Sequence, residues 1–273
     1  MSPEVEFVLL EQLSSCLAIP MLVVSAEGDL ISYNEPAEPL VGRRFEETGA
    51  MSLDEWGSLL QATDEKGVDL ANEERPLVAC LRRREPVHLR YFIRSLDGER
   101  REIEGTAIPL MSEQDKLLGA LGLFWQPGTG LAPFEAMSPR RPRSQNEVEV
   151  ILMQRLASHL ASPIYIVDSG GQLLYFNRGA ERILGKRFDQ MEASSRDDLN
   201  SIFRPTGVDG KALDTGTHPM TIARDRRRPA HLRFWIHGMD DVARLIEGTA
   251  FPLIGQSGRD LGVVGMFWEI KDS

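Results

Sequence analysis

The chain has 273 residues and a net charge of −10, with apolar and charged fractions of 42% and 26% that are ordinary for globular proteins. This length favours two domains, and the acidic balance argues against general nucleic-acid binding, which needs a cationic surface. The longest apolar stretch, Leu117–Trp125, is too short to span a bilayer and the N-terminus lacks the basic region of a signal peptide, so the sequence predicts a cytoplasmic protein without a membrane partner.

The chain contains two related copies of one sequence. Residues 4–125 return as residues 147–268 at a constant offset of 143, and about a third of the aligned positions are identical. A repeat of this length is a whole domain rather than a short structural unit. We therefore predict a first domain over residues 1–125, a linker rich in Pro, Gly and Arg over 126–146, and a second domain over 147–273.

Each copy opens with a helical pattern. Apolar residues recur with the 3.6-residue period, and further apolar residues lie on a second side, so each helix is expected to bury two faces. One face can cover its own domain, and the other predicts an interface with the matching helix of the other copy or of a second chain. The candidate interface residues are Val5, Leu9, Leu13, Val148, Leu152 and Leu156.

The remainder of each copy predicts an antiparallel sheet interrupted by helices. Two short β-rich runs around a glycine turn are typical of a hairpin, over 21–33 and again over 164–176. Short helices are predicted next, over 53–60 and 197–203, followed by helices that begin at Pro76 and Pro219. Three further strands are predicted in each copy, of which the first alternates polar and apolar residues: 88–93, 102–110 and 119–125, then 231–236, 245–253 and 262–268. The predicted class is α+β, with five antiparallel strands and helices inserted between strands two and three.

Two sequence segments in each copy point to a known family. The hairpin is followed by Tyr33-Asn34-Glu35-Pro36-Ala37, and in the second copy by Phe176-Asn177-Arg178-Gly179-Ala180. The long strand ends in Ala107-Ile108-Pro109-Leu110 or Ala250-Phe251-Pro252-Leu253, and two closely spaced glycines follow. In these segments each copy resembles a PAS domain, a sensor module of bacterial signalling proteins. The resemblance implies a sheet that cradles a small internal cavity, dimerisation through the leading helices, and ligand sensing or protein binding instead of catalysis.

Polar residues recur on two neighbouring strands. His88 and Arg90 lie two apart on one strand, and Glu104 and Thr106 lie two apart on the next, so each pair points to one face of the sheet. A meander would place Arg90 opposite Glu104. One hypothesis puts these residues in the cavity around an anionic ligand, and the other makes them cross-strand contacts or contacts between domains. The candidate ligand-binding residues are His88, Arg90, Glu104, Thr106, His231, Arg233, Trp235, Glu247 and Thr249.

Signals for cofactors and catalysis are weak. His218 lies near the place of the haem-ligating histidine that the resemblance implies, but its counterpart is Arg75, and a histidine beside Pro219 is more typical of a helix cap. Haem is therefore disfavoured. The reactive-cysteine segment of flavin-binding light sensors, a duplicated Cys/His metal spacing and a GxGxxG motif are all missing from the sequence. The sequence predicts no metal, no bound cofactor and no enzyme activity.

The sequence therefore predicts a non-catalytic signalling sensor or adaptor that dimerises within or between chains. Only residues 269–273 follow the second copy, so the output is expected to pass by contact to a partner such as a kinase, a phosphatase or another regulator. The alternative is a sensor of a small molecule, anionic ones included, bound in a cavity. His218 and Trp235 favour the second copy as the sensing half.

Overall fold

A computed structural model of the protein describes Leu10, Glu11, Ser14 and residues 17–112, 115–127, 148–191, 203–255 and 258–270. The chain divides into two compact units, Met1–Thr129 (domain 1) and Gly130–Ser273 (domain 2). The division falls within the predicted linker, most of which lies outside the described residues. Within the described ranges, no helix is both long enough and apolar enough to cross a membrane.

Domain 1 is an antiparallel sheet with helices inserted after its first hairpin. The strand order is β2-β1-β6-β5-β4-β3. Ser52 and Glu55 form a capping box at the start of α3, and Pro76 begins α4, where its missing N–H costs nothing. The elements are β1 Met21–Ser25, β2 Leu30–Tyr33, α1 Glu38–Val41, α2 Phe45–Thr48, α3 Leu53–Leu59, β3 Gln61–Thr63, α4 Pro76–Arg83, β4 Val87–Arg94, β5 Arg100–Met111 and β6 Leu117–Trp125.

Domain 2 repeats this architecture. Its sheet has the order β8-β7-β12-β11-β10-β9, which is the order of domain 1 shifted by six strands. The leading helix, which in domain 1 falls largely outside the described residues, is present here as α5. The elements are α5 Val148–His159, β7 Ile164–Val167, β8 Leu173–Phe176, α6 Arg178–Leu184, β9 Thr206–Gly207, α7 Pro219–Arg226, β10 Ala230–His237, β11 Ala243–Ile254 and β12 Asp260–Glu269.

The predicted α+β class and the antiparallel strands are confirmed, but the number of strands is corrected. Each sheet has six strands, because the short β3 pairs with β4 and the short β9 pairs with β10 at the sheet edge. Runs of two or three residues show no alternation that a sequence pattern could reveal. The helix predicted over 197–203 lies almost entirely outside the described residues, so it stays a prediction.

Both faces of each sheet are buried near its centre. In domain 1, Ile103 and Phe124 belong to the core that the sheet shares with the helices, on what we call the inner face. At alternate positions of the same strands, Ile108, Leu110 and Leu123 point to the opposite, outer face and are also fully buried. Apolar character therefore does not distinguish the two faces of these strands.

The leading helix α5 is buried on one side and exposed on another. Met153 and Leu156 are fully buried, whereas Val148 and Ile151 are 65% and 38% exposed. Leu152 is half-buried. Among the predicted interface residues, Val148 is thus on the surface and Leu156 is not. Their counterparts Val5, Leu9 and Leu13 lie outside the described residues, so the predicted interface stays a prediction.

Candidate functional site

The recurring polar residues of domain 1 form a contact cluster across β4, β5 and β6. The Nδ1 of His88 lies 2.8 Å from the Oγ1 of Thr106, and its Nε2 lies 3.3 Å from the Oε1 of Glu104. The indole N–H of Trp125 donates to the Oε2 of Glu104 at 3.2 Å. The strand register brings these side chains together, since His88 lies opposite Thr106, and Glu104 lies opposite Trp125.

The electrostatics of this cluster favour an ionised Glu104. The hydrogen bond from His88 lowers the pKa of Glu104, with further help from Trp125, although burial of the carboxyl acts in the opposite direction. Arg90 stands opposite Glu104 in the register, as predicted, but its Nε donates to Glu102 at 2.6 Å. Most of the Arg90 side chain is exposed, so this pair contributes little to stability.

Domain 2 retains the core of the cluster. The Nδ1 of His231 lies 2.9 Å from the Oγ1 of Thr249, and the rings of His231 and Trp268 are 5.8 Å apart. Arg233 stands opposite Glu247 in the register. Trp235 lies on the next outward position of β10 and is 36% exposed.

These side chains lie on the outer face of each sheet, opposite the core that contains α4 or α7. In β4, Tyr91 and Ile93 pack into the inner core, so His88 and Arg90 point the other way. In β10, Phe234 likewise packs inward. The polar side chains make the cross-strand contacts that the sequence left open, and among the described residues Thr249 also borders a cavity in domain 2. A ligand-binding role for the nine candidate residues stays a prediction, now for the outer face.

A partly open cavity lies between the sheet and the helices of domain 2, with a volume of about 100 Å³. Among the described residues, its lining includes Thr249 but none of the other predicted ligand-binding residues, and no Asp, Glu, Lys or Arg. The ring of Tyr165 lies over Gly265, where an added Cβ would be 2.0 Å from it. The lining residues are Tyr165, Leu173, Phe176, Leu184, Phe203, Pro205, His218, Pro219, Met220, Phe234, Ile236, Ile246, Gly248, Thr249, Met266 and Phe267.

His218 stands between this cavity and the surface. Its Nδ1 accepts a hydrogen bond from the backbone N–H of Met220 at 3.3 Å, which confirms it as the cap of α7. Its ring meets Phe234 edge-on at 5.2 Å. His218 and Pro205 line the cavity and also line a surface groove of about 260 Å³, formed by β9 and the loop before α7. Sequence reasoning had singled out His218 but could not place it on a cavity wall.

Arg75 takes this position in domain 1. Its Nη1 donates to the carbonyl oxygen of Gly57 at 2.6 Å, and its Nε is buried without a hydrogen-bond partner in the described part of the chain. Burial raises the pKa of Tyr91, the counterpart of Phe234, to about 12, while the nearby charge of Arg75 acts to lower it. Arg75 also lines a polar surface groove of about 250 Å³.

Two buried asparagines tie the leading helices to the sheets. The Nδ2 of Asn177 donates to the carbonyl oxygens of Ala157, Leu160 and Ser162, which lie at and just beyond the end of α5. Its Oδ1 accepts from the backbone N–H groups of Ile164 and Ala180. A local sequence pattern does not indicate these bonds, because the distant carbonyls are brought together by the tertiary fold.

Asn34 makes the corresponding connection in domain 1. Its Nδ2 donates to the carbonyl oxygens of Ser14 and Ile19, and its Oδ1 accepts from the N–H of Met21. Unlike Asn177, it makes no side-chain cap to the turn that follows. The two asparagines are the functional positions that sequence reasoning described least completely.

Comparison with known proteins gives one family match. The model of the PAS domain family matches residues 152–215, which lie in domain 2. No curated protein matches the chain. Domain 1 repeats domain 2 in sequence and in strand order.

Several solved structures are similar to parts of the chain. The PAS domain of a protein from Colwellia psychrerythraea is 22% identical, with a TM-score of 0.34, and covers 44% of this chain and 97% of its own. The PAS domain of BvgS from Bordetella pertussis is 19% identical, with a TM-score of 0.36, and covers 46% of this chain and 89% of its own. The PAS domain of nitrogen regulation protein NR(II) from Vibrio parahaemolyticus is 16% identical, with a TM-score of 0.34, and covers 44% of this chain and 98% of its own.

The fold and the family match over residues 152–215 define the class of these domains. The chain consists of two PAS-like domains in tandem. PAS domains are sensory, non-catalytic modules of signalling proteins, often found in regulators or kinases.

Proposed function

We propose that this protein is a non-catalytic signalling sensor in which domain 2 binds a small, uncharged, apolar molecule. The cavity of about 100 Å³ between its sheet and helices carries the proposal. An apolar cavity of about 150 Å³ holds benzene or xenon, so the ligands that fit here are of that size or smaller. Binding of a ligand in the cavity would change the contact of this protein with a signalling partner, such as a kinase, a phosphatase or another regulator.

The lining decides the chemical class of the ligand. Because none of the described residues that line the cavity is Asp, Glu, Lys or Arg, an ion placed against this lining would lose its hydration without gaining a partner, at a cost of several kcal/mol. The lining therefore disfavours the anionic ligands that the recurring arginines and histidines suggested. Aromatic and methionine side chains instead offer dispersion contacts to an apolar guest.

Native mass spectrometry of protein purified without denaturation tests this proposal. We expect a co-purifying neutral mass of small-molecule size, and its loss in Gly248→Leu, which places a side chain in the cavity. A Cβ at Gly248 meets nothing nearer than 3.5 Å, so the variant fills space before it distorts the backbone. Val208→Leu, exposed in the same domain, is the matched control. Bare protein in every preparation, together with no response to added benzene, would contradict the proposal.

A second candidate function, an adaptor that self-associates through its leading helices, is favoured by one observation. Val148 and Ile151 leave an apolar strip exposed on α5, three residues apart and so on one side of the helix. We propose a second copy of the chain as its partner. Val148→Asp should shift a concentration-dependent dimer toward monomer in light scattering, while Ser158→Asp, exposed on the same helix, should not. Equal molar masses for both variants and the wild type would argue against it.

A further inference from the structure

The surface grooves of the two domains lie at the same place in the fold. Both are formed by the short edge strand and the loop before the helix that begins with proline. Four lining positions correspond at the offset of 143, and these pairs are Gln61 and Arg204, Asp69 and Ala212, Asn72 and Thr215, and Arg75 and His218. The grooves are therefore one inherited feature with two different linings.

In domain 2 the groove leads toward the cavity. Pro205 and His218 belong to both linings, so these two side chains lie where the groove and the cavity adjoin. The histidine ring is fixed by its bond to the Met220 N–H and by its edge-on contact with Phe234. An imidazole in this place presents a flat, largely apolar face to a guest.

In domain 1 the corresponding path is occupied by a longer and permanently charged side chain. Arg75 reaches the carbonyl oxygen of Gly57 on α3, and its charge acts on Tyr91 in the core. A guanidinium remains protonated at any ordinary pH. An apolar molecule entering here would have to displace a hydrogen-bonded ion that is partly buried, and that displacement is costly.

We infer that the residue before the helix proline, His218 or Arg75, determines which domain admits an apolar molecule from its groove. His218 admits uncharged molecules of up to about benzene size to domain 2, and Arg75 excludes them from domain 1. The inference rests on the proposed ligand-binding function of the cavity and adds the path, the selecting residue and the reason why the two domains differ.

Reciprocal variants of the full chain test the inference, with benzene as the probe and methyl NMR as the measurement. Met220, which carries one methyl group, lines the cavity, and its counterpart Leu77 lies in the core of domain 1. In the wild type, benzene should shift Met220 and leave Leu77 unchanged. His218→Arg should weaken the Met220 response at least tenfold, and Arg75→His should create a response at Leu77.

Matched controls separate position from charge. Thr217→Arg adds the same charge one residue away at an exposed position and should bind benzene as the wild type does, and exposed Arg83→His should create no response at Leu77. His218→Gln, which is uncharged, should keep binding within about threefold, so the question stays answerable if His218→Arg does not fold. Wild-type binding by His218→Arg, loss in His218→Gln, or no gain in Arg75→His would overturn the inference. A wild type without any Met220 response would instead sink the proposed function itself.

Discussion

Domain 1 and domain 2 have the same strand order and corresponding histidine–threonine contacts on the outer face, but they differ in residues that lie between the sheet and the helices. His88 with Thr106 and His231 with Thr249 have almost the same separation, 2.8 and 2.9 Å. On the inner side, Arg75 stands where domain 2 has His218. The histidine–threonine contact is therefore retained in both domains, whereas this inner position differs.

This comparison distinguishes the contacts that both domains retain, which we call the framework, from the positions at which the two domains differ. Contacts that join neighbouring strands involve two or three residues at once, so a change in one leaves the others unsatisfied. Cavity-lining residues such as Met220 and Phe234 exchange with other apolar side chains at smaller cost. We interpret domain 1 as a filled module that retains the framework and domain 2 as the module that retains room for a guest.

The largest effect is expected from removing the asparagine ties, which are unequal in the two domains. Asn177 makes five hydrogen bonds and Asn34 makes three in the described structure. Because unsatisfied buried groups cost about 1–3 kcal/mol each, Asn177→Ala should lower the free energy of unfolding by roughly 3 kcal/mol and Asn34→Ala by roughly 2. Urea unfolding measures both, and exposed Asn72→Ala is the control. A larger loss in domain 1 would reverse this part of the comparison.

The outer-face contacts should respond equally in the two domains. Thr106→Val and Thr249→Val each remove a hydroxyl that lies against a histidine and is fully buried. We expect each variant to lose about 1 kcal/mol, the usual net value of one hydrogen bond. Calorimetry that shows a loss in only one domain would mean that the clusters are not equivalent.

The ionisation of Glu104 tests the electrostatics of the domain 1 cluster. The His88 contact lowers the pKa of Glu104 in the folded protein. The contact therefore stabilises the fold at pH values above the usual pKa of a glutamate, near 4.3. This contribution is lost as the pH falls through the lowered pKa of the folded state. His88→Ala should raise the pKa toward its usual range in a carbon-detected NMR titration. An unchanged titration would show that His88 is not the cause.

The smallest effect on stability concerns a feature that both domains share, a bidentate ion pair in the turn after β4 and after β10. Arg101 and Arg244 lower the pKa of Asp97 and Asp240 to about 2 in each case. Both pairs are accessible to solvent, so their influence on stability is small and confined to the acid range in which these carboxyls become protonated. Arg101→Ala and Arg244→Ala should each return the aspartate to near 3.9. Different pKa values in the two wild-type domains would break the equivalence of the turns.

Local patterns predicted most of the fold. β1 and β2 were predicted with their observed limits, because each is a short β-rich run beside a glycine turn. The opposition of Arg90 and Glu104 followed from strand alternation and a meander. The direction of these side chains did not, since residues on both faces, such as Ile103 and Ile108, are equally buried and apolar.

The candidate site was less accessible to sequence reasoning. The cavity depends on the combined volume of side chains from many elements, and no single pattern encodes it. The sequence showed that His218 and Arg75 occupy equivalent positions but differ in type. The structure shows that His218 lines a cavity, whereas Arg75 donates to the carbonyl oxygen of Gly57. The partners of Asn177 lie up to 20 residues away in sequence and converge only in the folded chain.

Crystallography under xenon pressure tests the central claim most directly, since xenon enters apolar cavities of this size without needing a specific contact. We predict anomalous density for xenon among Phe234, Met220 and Phe267 of domain 2 and none in the corresponding core around Tyr91 of domain 1. Xenon in both cores at similar occupancy, or in domain 1 alone, would contradict the account.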